Sequence, residues 1–161
     1  MMHTVFEESV EGFVARFGAS AAEVTLAGRL EGSPLLECLV DGVAVHVFER
    51  TGPYLASSGP ARVILNLECD ALERLEAEPG ARTSRIEVVG VSALAVEGVV
   101  RVRDEPFLVV DAGTTFVVGV TGVFPDVGIG DRVRFVSRAP VHGFVLPRTA
   151  ARPSTSADDQ V

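Results

Sequence analysis

The residues of this chain that could bind a metal or a cofactor are few and widely spaced. His3, His46 and His142 have no second ligand at the short spacing typical of a metal site, so tertiary contacts alone would have to bring them together. Cys38 and Cys69 each lie beside a Glu in an apolar, strand-like run. Two cysteines form neither a disulfide framework nor a zinc site, so we expect buried free thiols. For His46 we expect a half-buried position at the rim of a strand. The sequence predicts no metal and no cofactor.

Three short segments could be mistaken for catalytic motifs. The loop 126–131 contains Gly and Asp, but it lacks the acidic spacing of an EF-hand and the Lys of a phosphate-binding loop. The segment 90–94 has Leu where a nucleophile elbow has its last Gly. Asp104 and Glu105 precede Pro106 and are typical of a turn. All fourteen basic residues are Arg, which removes lysine chemistry. We therefore expect the chain not to be an enzyme.

The charge is negative and uneven. The net charge is −8, and residues 1–80 carry thirteen acidic side chains against five Arg. An acidic surface repels phosphate backbones and suits a basic protein partner, although solubility alone also accounts for it. The N-terminus shows no secretory signal and no apolar run could cross a bilayer, so we expect a cytoplasmic protein without membrane contact.

The elements expected from the pattern are mostly strands. Residues 4–17 repeat apolar side chains at helical spacing, and Thr4 with Glu7 resembles a capping box. Asp70 with Glu73 predicts a second, short helix over 71–78. Asp41-Gly42 predicts a tight hairpin, and Val100 and Val102 are expected to face inward. Strands are expected at 24–30, 35–40, 43–49, 62–68, 85–91, 95–103, 107–110, 115–120, 132–137 and 144–146.

A faint internal repeat organises these strands. The segments 34–48 and 106–120 resemble each other, as do 59–65 and 130–135, at an offset of about 70 residues. Such a strand–hairpin–loop–strand unit is similar to small OB-like or SH3-like barrels. We predict a mainly β protein of two related barrel-like halves, with an N-terminal helix and a short helix between the halves. The expected divisions are a helix over 1–18, barrel-like halves over 19–80 and 81–147, and a disordered tail over 148–161.

Two functions fit these features. The first is a non-catalytic protein-binding module, such as an adaptor, an immunity-type inhibitor or an assembly subunit, whose partner contacts an aromatic helix face and a loop tyrosine. The second is a single-stranded nucleic-acid-binding barrel that uses an arginine stripe, although the acidic charge and scarce exposed aromatics count against it. The protein-binding residues would be Phe6, Phe13, Phe17 and Tyr54; the nucleic-acid-binding residues would be Arg101, Arg103, Arg132, Arg134 and Arg138.

Overall fold

The computed structural model describes residues 9–29, 32–51, 58–76 and 84–147, and these residues are mainly β, as the sequence predicts. A single α-helix, α1 (Val10–Phe17), leads through a 3₁₀ turn (Gly18–Ser20) into eleven strands. No helix among the described residues is long and apolar enough to cross a membrane. The strands are β1 (Ala22–Arg29), β2 (Leu35–Val40), β3 (Val43–Glu49), β4 (Gly59–Cys69), β5 (Glu73–Leu75), β6 (Arg85–Gly90), β7 (Ala93–Asp104), β8 (Phe107–Asp111), β9 (Thr115–Val120), β10 (Arg132–Val136) and β11 (Val141–Val145).

Five of these strands close into a barrel. The order is β1-β2-β3-β11-β4, and β4 pairs back onto β1, with Ala22 opposite Val63. All neighbours are antiparallel except β3 and β11, which run parallel. Strand β11 lies in the range expected for the second half, yet it pairs with β3 and β4. The barrel therefore closes only when the end of the chain returns to it.

The remaining strands extend the same sheet. The second half of β4 runs parallel to β9, and the order continues through β8, β7 and β10 to β5. The chain reaches β5 directly from β4, through residues 70–72. Strand β6 pairs with β7 and approaches β3 without a hydrogen-bonded ladder to it in the described part of the chain. Strand β4 thus belongs to both parts of the sheet.

The hairpin between β2 and β3 forms as the sequence predicts. Asp41 and Gly42 adopt positive φ angles of 51° and 80°. Positive φ at both central residues is the signature of the tight turn that Asp-Gly favours between twisted strands. The bounds of β2 and β3 match the expected 35–40 and 43–49, because the alternation of buried and exposed side chains continues up to the turn.

Two hydrophobic cores lie on opposite faces of the central strands. Val63, Leu65 and Leu67 of β4 point into the larger core, whereas Ile64 points into the smaller one. Strands β8 and β9 divide their side chains between the two cores in the same way. Because these strands are covered on both sides, they are almost continuously apolar. The smaller core consists of Phe13, Phe17, Ile64, Phe107, Val109, Val117 and Phe144.

The N-terminal helix is shorter than the sequence pattern predicts. Ser9 has an extended backbone, and its hydroxyl accepts a hydrogen bond from the Gly12 amide at 2.9 Å, so it is the N-cap. The helix therefore begins at Val10, and the expectation that it starts near Thr4 is wrong. Residues 1–8, with Phe6, lie outside the described residues.

The expected helix over 71–78 is also wrong in its described part. Residues 73–75 form β5, which pairs antiparallel with β10. A capping pattern is only a local preference, and pairing with another strand can override it. Here Leu72 packs on the larger core and Glu73 bonds to Arg134 at 2.9 Å, and both contacts favour the extended chain. Residues 77 and 78 lie outside the described residues.

The inward direction expected for Val102 is wrong as well. The register between β7 and β8 shifts between Val100 and Val102, which marks a β-bulge. An extra residue in one strand reverses the facing of the side chains that follow it. Val100 is fully buried, whereas Val102 is 41% exposed.

Candidate protein-interaction surface

Two of the four aromatic residues expected on a partner surface, Phe13 and Phe17, lie in the protein interior. Phe13 and Phe17 are each 3% exposed. The ring of Phe13 stacks on that of Phe144 at 4.5 Å between centroids, and it meets the edge of Phe107 at 5.7 Å. The prediction that Phe13 and Phe17 contact a partner is therefore wrong for this structure. Phe6 and Tyr54 lie outside the described residues.

The five arginines of the expected basic stripe are all paired with carboxylates. Arg101 bonds to Asp111 at 3.4 Å and Arg103 to Glu105 at 2.7 Å. Arg138 lies 3.5 Å from a carboxylate oxygen of Asp70. Arg132 and Arg134 both approach Glu97 at 3.8 Å. A stripe neutralised in this way attracts a phosphate backbone weakly, because the counterion release that drives such binding needs uncompensated charge.

Arg134 is part of a charge ladder that crosses four strands on one face of the sheet. Strand pairing places Arg85 of β6 opposite Glu97 of β7, Glu97 opposite Arg134 of β10, and Arg134 opposite Glu73 of β5. The hydrogen bond from Arg134 to Glu73 raises the pKa of that guanidinium. Opposite charges directly across strands stabilise a sheet by about 0.2–1 kcal/mol for each pair. The ladder alternates in sign from β5 to β6.

Strand β6 ends this ladder and, with the turn that follows it, carries three exposed valines close together in the sequence. Val88, Val89 and Val91 are 45%, 49% and 77% exposed. Among the described strands only β7 pairs with β6, so the opposite edge of β6 has no strand bonded to it. The register shifts between Val88 and Gly90, which makes Val89 a bulge residue. An exposed apolar edge strand is a typical site for protein association.

The sequence contains a signal for this surface that strand periodicity alone does not identify. The run Val88-Val89-Gly90-Val91 places apolar residues next to one another, where a strand with one buried face should alternate. The expectation of a strand over 85–91 was close to the observed β6, but it did not identify the strand as an exposed edge. Loss of alternation at the end of a strand was the available indication.

The turn that follows β6 is fixed to the barrel by one buried hydroxyl. Ser92 Oγ donates to the carbonyl oxygen of His46 at 2.5 Å and accepts from the amide of Val141 at 2.9 Å. Ser92 therefore connects the β6–β7 turn to β3 and β11. Ser92 lies in the segment 90–94, which lacks the last Gly of a nucleophile elbow, and both of its hydrogen bonds hold the turn to the barrel.

The two described histidines have different surroundings. His46 is half-buried, as the sequence predicts. His142 meets the ring of Phe48 edge-on at 5.9 Å, and its Nδ1 lies 3.5 Å from Arg50 Nη1. Burial, and then the charge of Arg50, lower the pKa of His142. In the described residues, no group of three or more His, Cys, Asp or Glu side chains is arranged to hold a metal ion.

Both cysteines are buried free thiols, as expected. Burial raises the pKa of Cys38 to about 12, with smaller contributions from Glu49 and Glu37. Burial also raises the pKa of Cys69 to about 12. Because the thiolate is the reactive form, neither thiol is activated at neutral pH.

The loop 126–131 is a turn, as the sequence predicts. The carboxylate of Asp131 accepts a hydrogen bond from the Gly128 amide at 2.8 Å, and Gly130 has a φ of 97°. Asp131 therefore caps its own loop, and the loop leads directly into β10.

Comparison with protein-family models, with curated proteins and with solved structures finds no match for this chain. Functional inference therefore depends on the surfaces of the chain itself. Among the described surfaces, the edge strand β6 combines exposed valines with an edge to which no strand is bonded.

Proposed function

We propose that this chain is a non-catalytic protein-binding module whose partner packs against β6. The observation that carries this proposal is the exposure of Val88, Val89 and Val91 on a strand that is paired on one side only. Covering a half-exposed valine contributes about 1 kcal/mol, so three adjacent valines supply a useful share of a binding energy. Arg85 and Glu87 border them as a polar rim.

The turn after β6 supports this proposal because it is rigid. The two hydrogen bonds of Ser92 hold the turn to β3 and β11 before any partner arrives. A preformed surface loses little conformational entropy on binding, which favours affinity. The inert thiols and the structural role of Ser92 are consistent with a chain that binds rather than catalyses. A basic partner, suggested by the net charge, stays a prediction.

We further propose that the two halves are a duplicated OB-like unit. Strands β4-β1-β2-β3 have the spatial order of a Greek key, which is the arrangement of OB barrels. The order of β10-β7-β8-β9 is the same. The β1–β2 ladder shifts register between Leu26 and Gly28, and the β7–β8 ladder shifts at the corresponding place, between Val100 and Val102. Two matching bulges in matching ladders support common descent.

The duplicated units would then exchange their fifth strands. β11 follows the second unit but pairs in parallel with β3 of the first. The end of β4 follows the first unit but pairs in parallel with β9 of the second, and β5 continues along β10. Each unit would thus be completed by the chain that follows the other one. This arrangement accounts for a continuous sheet that joins the two barrel-like halves.

The binding proposal is tested by one matched pair of substitutions. Val89→Thr keeps a β-branched side chain but lowers the apolar surface of β6, and Val123→Thr makes the same change at a valine that is 94% exposed elsewhere. We expect the tagged wild type and Val123→Thr either to co-purify a stoichiometric protein from cells of the native source or, where the partner is another copy of the chain, to self-associate above about 100 μM. Val89→Thr should weaken that association. Equal association of all three proteins, or none of any of them by either measurement, would contradict the proposal.

A further inference from the structure

The edge of β6 has a charge pattern that is complementary to itself. Arg85 and Glu87 lie two residues apart on the same strand, where they form an ion pair with each other at 2.9 Å. An antiparallel copy of the strand can also place Arg85 of one copy opposite Glu87 of the other, so that each charge gains a second partner of opposite sign. We propose that β6 pairs antiparallel with β6 of a second copy, with Ile86 opposite Ile86, so that the chain forms a two-fold dimer. This inference rests on the proposed function and names its partner.

The register follows from two constraints. In an antiparallel pair, two facing residues must both direct their N–H and C=O groups towards the other strand, or both away from it. Neighbouring residues of one strand alternate between these two directions. A two-fold pair must therefore be centred on a residue that faces the same residue of the second copy. The regular part of β6 is Arg85–Val88, because the bulge begins at Val89. Centres at Arg85 or Glu87 place like charges opposite each other, and a centre at Val88 brings the bulge into the ladder. Only the centre at Ile86 pairs Arg85 with Glu87, and it does so twice.

This register also continues the charge ladder of the sheet. Within one copy the sign alternates along Glu73, Arg134, Glu97 and Arg85. In the dimer the next side chain in that row is Glu87 of the second copy, so the alternation passes through the interface without interruption. Like charges directly opposite would destabilise the pair, whereas opposite charges favour it.

The paired stretch is short, which sets the expected strength. Residues 84–88 of each copy form the ladder, and Val88 with the adjoining bulge residue Val89 adds apolar contact at both ends of it. Such an interface is smaller than the roughly 1,200–2,000 Å² of a stable complex, so we expect a dimer that dissociates at concentrations on the order of 10–100 μM.

Charge reversal tests the register. The purified full-length chain is examined by sedimentation velocity from about 5 to 500 μM at low salt, as wild type, Arg85→Glu, Glu87→Arg, and the double reversal. The wild type should rise from 17.0 kDa towards twice that mass. Each single reversal opposes like charges and should weaken the dimer about tenfold or more, and the double reversal should restore most of the loss. Arg101→Glu, which reverses an exposed arginine paired with Asp111, is the matched control and should dimerise like the wild type.

Three results would overturn the proposal: a wild type that stays at 17.0 kDa throughout, single reversals that associate like the wild type, or a double reversal that does not recover. Thermal melting of each variant confirms that it is folded, and Arg85→Gln with Glu87→Gln provides a milder pair if a reversal unfolds the chain. A monomeric wild type alongside a heterologous protein lost in Val89→Thr would remove the dimer while leaving the proposed function in place.

Discussion

Phe13→Ala should destabilise the protein strongly, because this ring anchors α1 to the sheet. The side chain is 3% exposed and contacts the rings of Phe17, Phe107 and Phe144 at centroid distances of 4.9, 5.7 and 4.5 Å. Replacing a buried Phe by Ala costs about 3–5 kcal/mol, through lost transfer energy and the remaining cavity. For a chain of this length, that corresponds to a fall in Tm of about 8–16 °C.

The assay is urea unfolding followed by far-UV circular dichroism, with Val14→Ala as the control on the same helix. Val14 is only partly buried, so its truncation should cost about 1 kcal/mol or less. If Phe13→Ala lost no more stability than Val14→Ala, the ring would not be part of the core. The result would instead favour Phe13 as an exposed contact with a partner, as the sequence predicts.

Three further outcomes follow from the structure. Two separate chains, residues 9–76 and residues 84–147, should each fail to fold alone, because β11 closes the first part and β4 with β5 closes the second. The circular dichroism of β structure should return when the two chains are mixed, and independent folding of either chain would contradict the strand exchange. The pKa of His142 is lowered in the folded protein, so the unfolded chain takes up a proton at this histidine at higher pH than the folded chain does. The free energy of unfolding should therefore fall as the pH drops below about 6.5, and it should fall less steeply in His142→Asn; identical pH profiles of the two proteins would contradict this. Single-stranded DNA should bind the wild type and Arg134→Ala with the same affinity at low salt, because Arg134 is already paired with Glu73. A lower affinity of the variant for DNA, together with a smaller dependence of that affinity on salt, would instead favour the nucleic-acid hypothesis.

The sequence was sufficient where structure is decided locally. The alternation of apolar side chains and the Asp41-Gly42 turn predict β2 and β3 to the residue. The sequence was insufficient where pairing with a distant strand decides the conformation of a segment. Residues 73–75 carry a helical cap pattern but are extended because β10 pairs with them, and β10 lies far along the chain. The same limit applies to β11, whose parallel pairing with β3 no local pattern specifies.

The candidate surface illustrates the same limit for function. The helical spacing of apolar residues places Phe13 on an amphipathic helix, but the face that this helix buries depends on Phe107 and Phe144, which only the fold brings to it. The sequence makes Arg134 a candidate phosphate ligand, but in the structure Glu73, which is distant in sequence, forms an ion pair with it. The exposure of Val89 depends on which strand lies next to β6, and pattern alone does not contain that information.

Site-specific photo-crosslinking inside cells tests the role of β6 most directly. A photoreactive amino acid replaces Val89 in one full-length chain and Val123 in another, so that both probes are exposed and only one lies on the proposed surface. Irradiation should join the Val89 probe to one discrete protein, another copy of the chain included. The Val123 probe should yield no adduct of that mass, because it lies outside the proposed surface. No adduct at Val89, or the same adduct from both positions, would contradict the claim that β6 is the binding strand.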